Sequence, residues 1–106
     1  MATYKVLGQS APSAATATTL FTASSATIIS TLNAANIGGT QDTIRIAIRP
    51  SGATLANQHY IAYGVPLAAG AVFSIQGGLT LANTDVVTVY STTGNTSFTA
   101  TGSDGN

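Results

Sequence analysis

Apolar and polar residues alternate with a period of two along much of this chain, the signature of strands that bury one face and wet the other. The clearest run is Thr43 to Arg49, where Ile44, Ile46 and Ile48 face one way and Arg45, Ala47 and Arg49 the other. Thr27 to Ala35 reads similarly, with Ile28, Ser30, Leu32 and Ala34 on one face and Ile29, Thr31 and Asn33 opposite. Thr3 to Gly8 predicts a first strand, with Tyr4, Val6 and Gly8 on one side and Lys5 and Leu7 on the other. Further strands are expected at Thr19 to Ala23, Gln58 to Tyr63, Ala71 to Gln76, Gly78 to Leu81, Asp85 to Thr92 and Thr96 to Thr101.

Turn residues punctuate the same segments. Gly38-Gly39 marks a turn within Asn36 to Thr40, Pro50-Ser51-Gly52 ends the isoleucine strand, and Gly64 to Gly70 is a Pro-containing connection. Gly94-Asn95 predicts a tight hairpin into the last strand. Residues 9–18, low-complexity Ser/Ala/Thr with Pro12, predict a flexible linker that lets residues 1–18 reach a neighbouring molecule. Residues 102–106 read as a frayed tail. Alanine favours helix, but Thr, Ser, Gly and Pro interrupt the Ala-rich stretches, and the charged residues of a helix's wet face are missing. Only Thr54 to Asn57 is expected to form a short helix. Residues 1–106 are thus expected to fold as one all-β domain, an antiparallel β-sandwich of about eight short strands, Ig-like or jelly-roll-like.

Composition narrows what such a domain can do. Hydrophobic residues make up 44% of the chain, but charged residues only 6%, against about 25% in an ordinary soluble domain. The charge inventory is Lys5, Arg45, Arg49, Asp42, Asp85 and Asp104, which sums to zero. Three cations do not make the basic footprint that phosphate backbones or anionic membranes select, so neither nucleic acid nor membrane is an expected partner. Near-zero net charge leaves little repulsion between copies, which suits a subunit packed against its neighbours. No window approaches the ~20 apolar residues of a membrane span. The opening residues lack the apolar stretch of a secretory signal, so synthesis in a bacterial cytoplasm is expected.

Candidate chemistry is sparse. The chain has no cysteine and a single histidine, His59, so no disulfide, thiolate or clustered metal site is expected. Asp42 and Asp85 stand beside turn residues, where aspartate commonly bonds the backbone. No nucleophile elbow, phosphate-cradling loop or dinucleotide fingerprint occurs, and no catalytic or cofactor-binding residue is assigned. The candidate residues are contact residues. Arg45 and Arg49 project from one strand face roughly 13 Å apart, placed either for carboxylates of a neighbour or for solvent. His59, Tyr60 and Tyr63 form either an exposed aromatic contact or, for the tyrosines, half-buried packing against the sandwich.

A family resemblance adds to this reading. The run Arg45-Ile-Ala-Ile-Arg-Pro-Ser-Gly-Ala-Thr-Leu-Ala-Asn-Gln-His-Tyr-Ile-Ala-Tyr63, with Val65-Pro66-Leu67 and Gly78-Leu-Thr-Leu-Ala-Asn-Thr-Asp-Val-Val-Thr-Val-Tyr90, resembles small virion structural proteins of tailed phages, especially those of cyanobacteria. The opening Ala2-Thr-Tyr-Lys-Val-Leu-Gly-Gln-Ser10 shares it, so the resemblance covers nearly the whole chain. The chain departs from the pattern at Asn36-Ile37-Gly38-Gly39 and in its more polar tail after Gly102. The resemblance implies a capsid cement or decoration protein located in the virion, contacting copies of itself (as a trimer) and the major capsid protein or other virion proteins. A tail, baseplate or fibre-associated module and a host-surface glycan-binding module are the competing readings.

Overall fold

The computed structural model describes residues 3–104, the side chains of residues 3, 4 and 77 excepted. Eight strands carry the fold: β1 Thr3–Ser10, β2 Thr18–Thr22, β3 Thr27–Asn36, β4 Asp42–Arg49, β5 Tyr60–Leu67, β6 Val72–Leu81, β7 Val86–Ser91 and β8 Thr96–Asp104. Short 3-10 turns lie at Pro50–Gly52 and Asn57–His59. A first sheet has the order β1-β8-β3-β6 and a second the order β2-β7-β4-β5, every pairing antiparallel. The chain is therefore an all-β sandwich, as expected.

Strand order decides between the two expected topologies. β1 lies on β8, β2 on β7, β3 on β6 and β4 on β5. The first half of the chain is thus laid antiparallel along the second half, and the double ribbon is rolled so that successive pairs alternate between sheets. That is a jelly roll, in two sheets of four strands. Only β4 and β5 are consecutive neighbours within one sheet. The hairpin expected at Gly94-Asn95 does not form. β7 already pairs with β2 on one edge and β4 on the other, so β8 has no edge left there and crosses to the first sheet.

The core lies between the sheets and is dominated by the four inner strands. Leu32 and Ala34 of β3 and Phe98 and Ala100 of β8 meet Ile44 and Ile46 of β4 and Val87 and Val89 of β7, all fully buried. Each large apolar side chain so buried stabilises the fold by about 1.5–3 kcal/mol. The predicted faces of β4 hold at Ile44 and Ile46, while in β3 the alternation changes phase. Against β8 the register shifts between Ile29 and Thr31 with Ser30 as the extra residue, a bulge, while against β6 the extra residue lies in β6, between Gln76 and Leu79. Ile29 is buried with Leu32 and Ala34, and Ile28 is exposed. Gly102 sits against this bulge, where a Cβ would collide with the Ile28 carbonyl oxygen. Only glycine permits that approach.

Several boundaries differ from expectation. The linker predicted over 9–18 shrinks, because Gln9 and Ser10 pair with Thr99 and Phe98, and Thr18 pairs with Val89. Pro12 is buried and the Ala15 N–H donates to the Ser91 carbonyl, which holds the intervening loop on the body. Residues 3–10 pair with β8 of their own chain, so they do not reach outward. Gly102, Ser103 and Asp104 belong to β8 and pair with both β1 and β3; residues 105 and 106 of the expected tail lie outside the described residues. The short helix expected over 54–57 is replaced by the two 3-10 turns flanking it. β5 continues through Gly64 to Leu67, and the two strands expected over 71–81 are one, β6.

Candidate contact face

β4 runs between β7 and β5, and its register sets Arg45 opposite Tyr90 on one side and Tyr63 on the other. Arg45 Cζ lies 4.4 Å from the centroid of each ring, well within the ~6 Å reach of a cation–π contact. The Tyr60 ring stands edge-on to Tyr63, with centroids 4.9 Å apart and planes at 83°. Residues three apart on a regular strand point to opposite faces. Here β5 carries an extra residue at Ile61, so Tyr60 pairs with Ala47 while Tyr63 pairs with Arg45, both on the outer face. A second extra residue, Gly64 at φ +70°, restores Val65 to the core side opposite Ile44.

Tyr63 is 61% exposed and Tyr60 half-buried. With Asn57 they line an open concavity of about 480 Å³. Arg45 is half-buried, and its Nε is buried without a hydrogen-bond partner. Asn57 and Tyr90 were not singled out from sequence. Tyr90 was legible from the alternation Val86, Thr88, Tyr90, whereas nothing local marked Asn57.

The other predicted contact residues are tied into the fold. Arg49 donates from Nε to Thr88 Oγ1 and from Nη1 to the Ala53 carbonyl, both at 3.1 Å. It anchors the segment after β4 through these two bonds. His59 is buried, and its Nδ1 accepts the Ala56 N–H at 3.0 Å. It closes the second 3-10 turn, so of the expected His59–Tyr60–Tyr63 contact only the tyrosines face outward.

The carboxylates are committed in the same way. Asp42, 1% exposed, accepts the hydroxyls of Ser91 and Thr96 on Oδ2 and the N–H groups of Thr43 and Thr93 on Oδ1. Burial pushes its pKa up, but the bonds from Ser91, Thr96, Thr93 and Thr43 together outweigh burial and hold it down to about 2. Three of those contacts, from Ser91, Thr93 and Thr96, straddle the β7–β8 crossover, so Asp42 fastens the place where the chain changes sheets. Asp85 accepts the N–H groups of Ser51 and Ala82, which hold its carboxyl below the usual range. Asp104 pairs with Lys5 at 2.8 Å.

The outer face of the first sheet is different in kind. One row across it reads Gln9, Thr99, Asn33, Ser74 and the next Val6, Thr101, Thr31, Gln76, without a charge in either. Among the described residues no group of three or more His, Cys, Asp or Glu could hold a metal ion, and no helix is long and apolar enough to cross a membrane. Against protein-family models, curated proteins and solved structures, the chain finds no match.

Proposed function

We propose that this chain is a structural subunit of a tailed-phage particle, and within that class a cement subunit that stabilises the assembled capsid shell. The observation that carries the reading is the use of charge. Asp42 holds the crossover, Asp85 a turn, Asp104 pairs with Lys5, and Arg49 holds the segment after β4. What is left facing outward is an uncharged surface of hydroxyls and amides with the exposed Val6, Ile28 and Val72 on one sheet, and an aromatic surface around Arg45 on the other. Such a molecule is built for contact. Copies meeting through the uncharged face of the first sheet bring no like charges together. The edge strands β1, β6, β2 and β5 offer backbone groups for pairing with neighbours.

Two further considerations support it: the resemblance described above, and the jelly roll itself, an architecture of viral capsid and lectin domains. The second is an analogy of fold and weighs less than the site. The mechanism is mass action. A subunit that binds only the closed, expanded shell lowers the free energy of that shell relative to any opened form. The test is a heating experiment on particles assembled with and without the chain. Particles lacking it are expected to release DNA at a lower temperature, and adding the purified chain should restore the higher one. Equal release temperatures would refute the cement role.

A further inference from the structure

Arg45 is a cation held in place with no counter-charge. Tyr63 and Tyr90 close its two flanks at 4.4 Å, its Nε has no partner, and no ion pair reaches it among the described residues. A second copy cannot readily supply the missing anion, since Asp42, Asp85 and Asp104 are engaged by other donors. With the carboxylates of the described residues so engaged, a different molecule is the better source of the anion. Rings contact the guanidinium through its face, which leaves its N–H groups for an acceptor, and a carboxylate takes two of them in a paired contact.

The Tyr63 ring that Arg45 contacts also lines, with Tyr60 and Asn57, a concavity of about 480 Å³. Its volume falls in the ~300–1,000 Å³ range of small-molecule sites. Its chemistry is two aromatic rings at right angles, two phenol hydroxyls and one amide. Rings at right angles offer flat π surface to C–H groups, while the amide and phenols donate and accept neutral hydrogen bonds. We propose that this corner is a saccharide site, taking one or two rings of a carboxylate-bearing sugar against Tyr60, Tyr63 and Asn57, with Arg45 as the counter-charge.

Among the described residues Arg45 is the only cation at the corner, since Arg49 is tied to Thr88 and Ala53 and Lys5 to Asp104. One cation matches the single charge of a carboxylate better than a phosphate dianion. An acidic peptide would satisfy Arg45 but leave the amide and phenol groups of the corner without hydroxyl partners. The site is independent of the cement reading and stands or falls without it.

The test is titration of the full chain, followed by amide chemical-shift changes, with a glucuronate-containing disaccharide, its neutral glucose counterpart and a short oligoglutamate. The uronate should bind about tenfold more tightly than the neutral sugar, as one charge-assisted contact implies. Shifts should concentrate at residues 57–63 and 45. Arg45→Gln should bring the uronate down to the neutral sugar's affinity, and Tyr63→Ala should abolish binding of both. Asn57→Ala, at an exposed turn, should weaken both and serves if Arg45→Gln unfolds. Equal affinity for the two sugars, oligoglutamate binding tighter than either, or no shift with any probe at millimolar concentration would overturn the proposal.

Discussion

Replacing Asp42 with asparagine removes one charge from the crossover between β7 and β8 while keeping the side chain's shape. In the folded chain the carboxyl titrates at about 2, below its ordinary 3.8. Each unit of such a shift corresponds to about 1.4 kcal/mol, so ionisation of this group stabilises the fold by about 2 kcal/mol. Because the folded pKa is the lower one, that stability is fully present above pH 4. It is lost as pH falls from about 4 toward 2, where the folded carboxyl also takes up a proton. Asparagine mimics the protonated form at every pH. Urea unfolding should therefore show Asp42→Asn less stable than wild type by about 2 kcal/mol at pH 7. With a typical urea slope that is a midpoint shift of about 1 M. The gap should close as the comparison is repeated down to pH 2. Asp42→Ala, which leaves two hydroxyls and two N–H groups without their acceptor, should cost more, about 3–5 kcal/mol. A gap between wild type and Asp42→Asn that stays constant from pH 7 to pH 2, or no gap at neutral pH, would refute this account of the crossover.

Other substitutions probe the packing. Phe98→Ala removes a fully buried ring between the sheets and should cost about 3–5 kcal/mol in urea unfolding; a loss under about 1 kcal/mol would mean the sheets do not meet there. Gly102→Ala forces a Cβ onto the Ile28 carbonyl oxygen and should destabilise by about 1–3 kcal/mol, with a neutral result contradicting the bulge at Ser30. Lys5→Met removes the ion-pair partner of the buried Asp104 and should cost about 1–3 kcal/mol in urea unfolding, with no measurable loss contradicting the pairing.

The sequence carried the strands well wherever alternation was uninterrupted. Ile44 and Ile46 bury as their spacing requires, and Thr96 to Asp104 alternates buried and half-buried positions along its full length. Bulges are where period-two reasoning failed. Ser30 reverses the phase of β3, and Ile61 puts Tyr60 and Tyr63 on one face although their spacing predicts two. Both depend on the registers of partner strands distant in sequence, which no local pattern reports. Gly94-Asn95 failed for a related reason: its turn chemistry suits a hairpin, but whether β7 has a free edge is set by β2 and β4. At the site, the sequence singled out Arg45, Tyr60 and Tyr63, which the structure brings together on one face. Alternation could not anticipate that Arg49 bonds Thr88 and Ala53, or that His59 is buried and bonded to Ala56.

The central claim is that this jelly roll works by contact within a virus particle. Reconstruction of purified particles of a tailed phage whose genome carries this chain, with copy number counted by quantitative mass spectrometry, decides whether the proposal holds. The account predicts symmetric density for the sandwich on the outside of the capsid, in stoichiometric proportion to the major capsid protein. A few copies confined to the tail would contradict the cement role, and particles free of the chain would contradict the virion assignment itself.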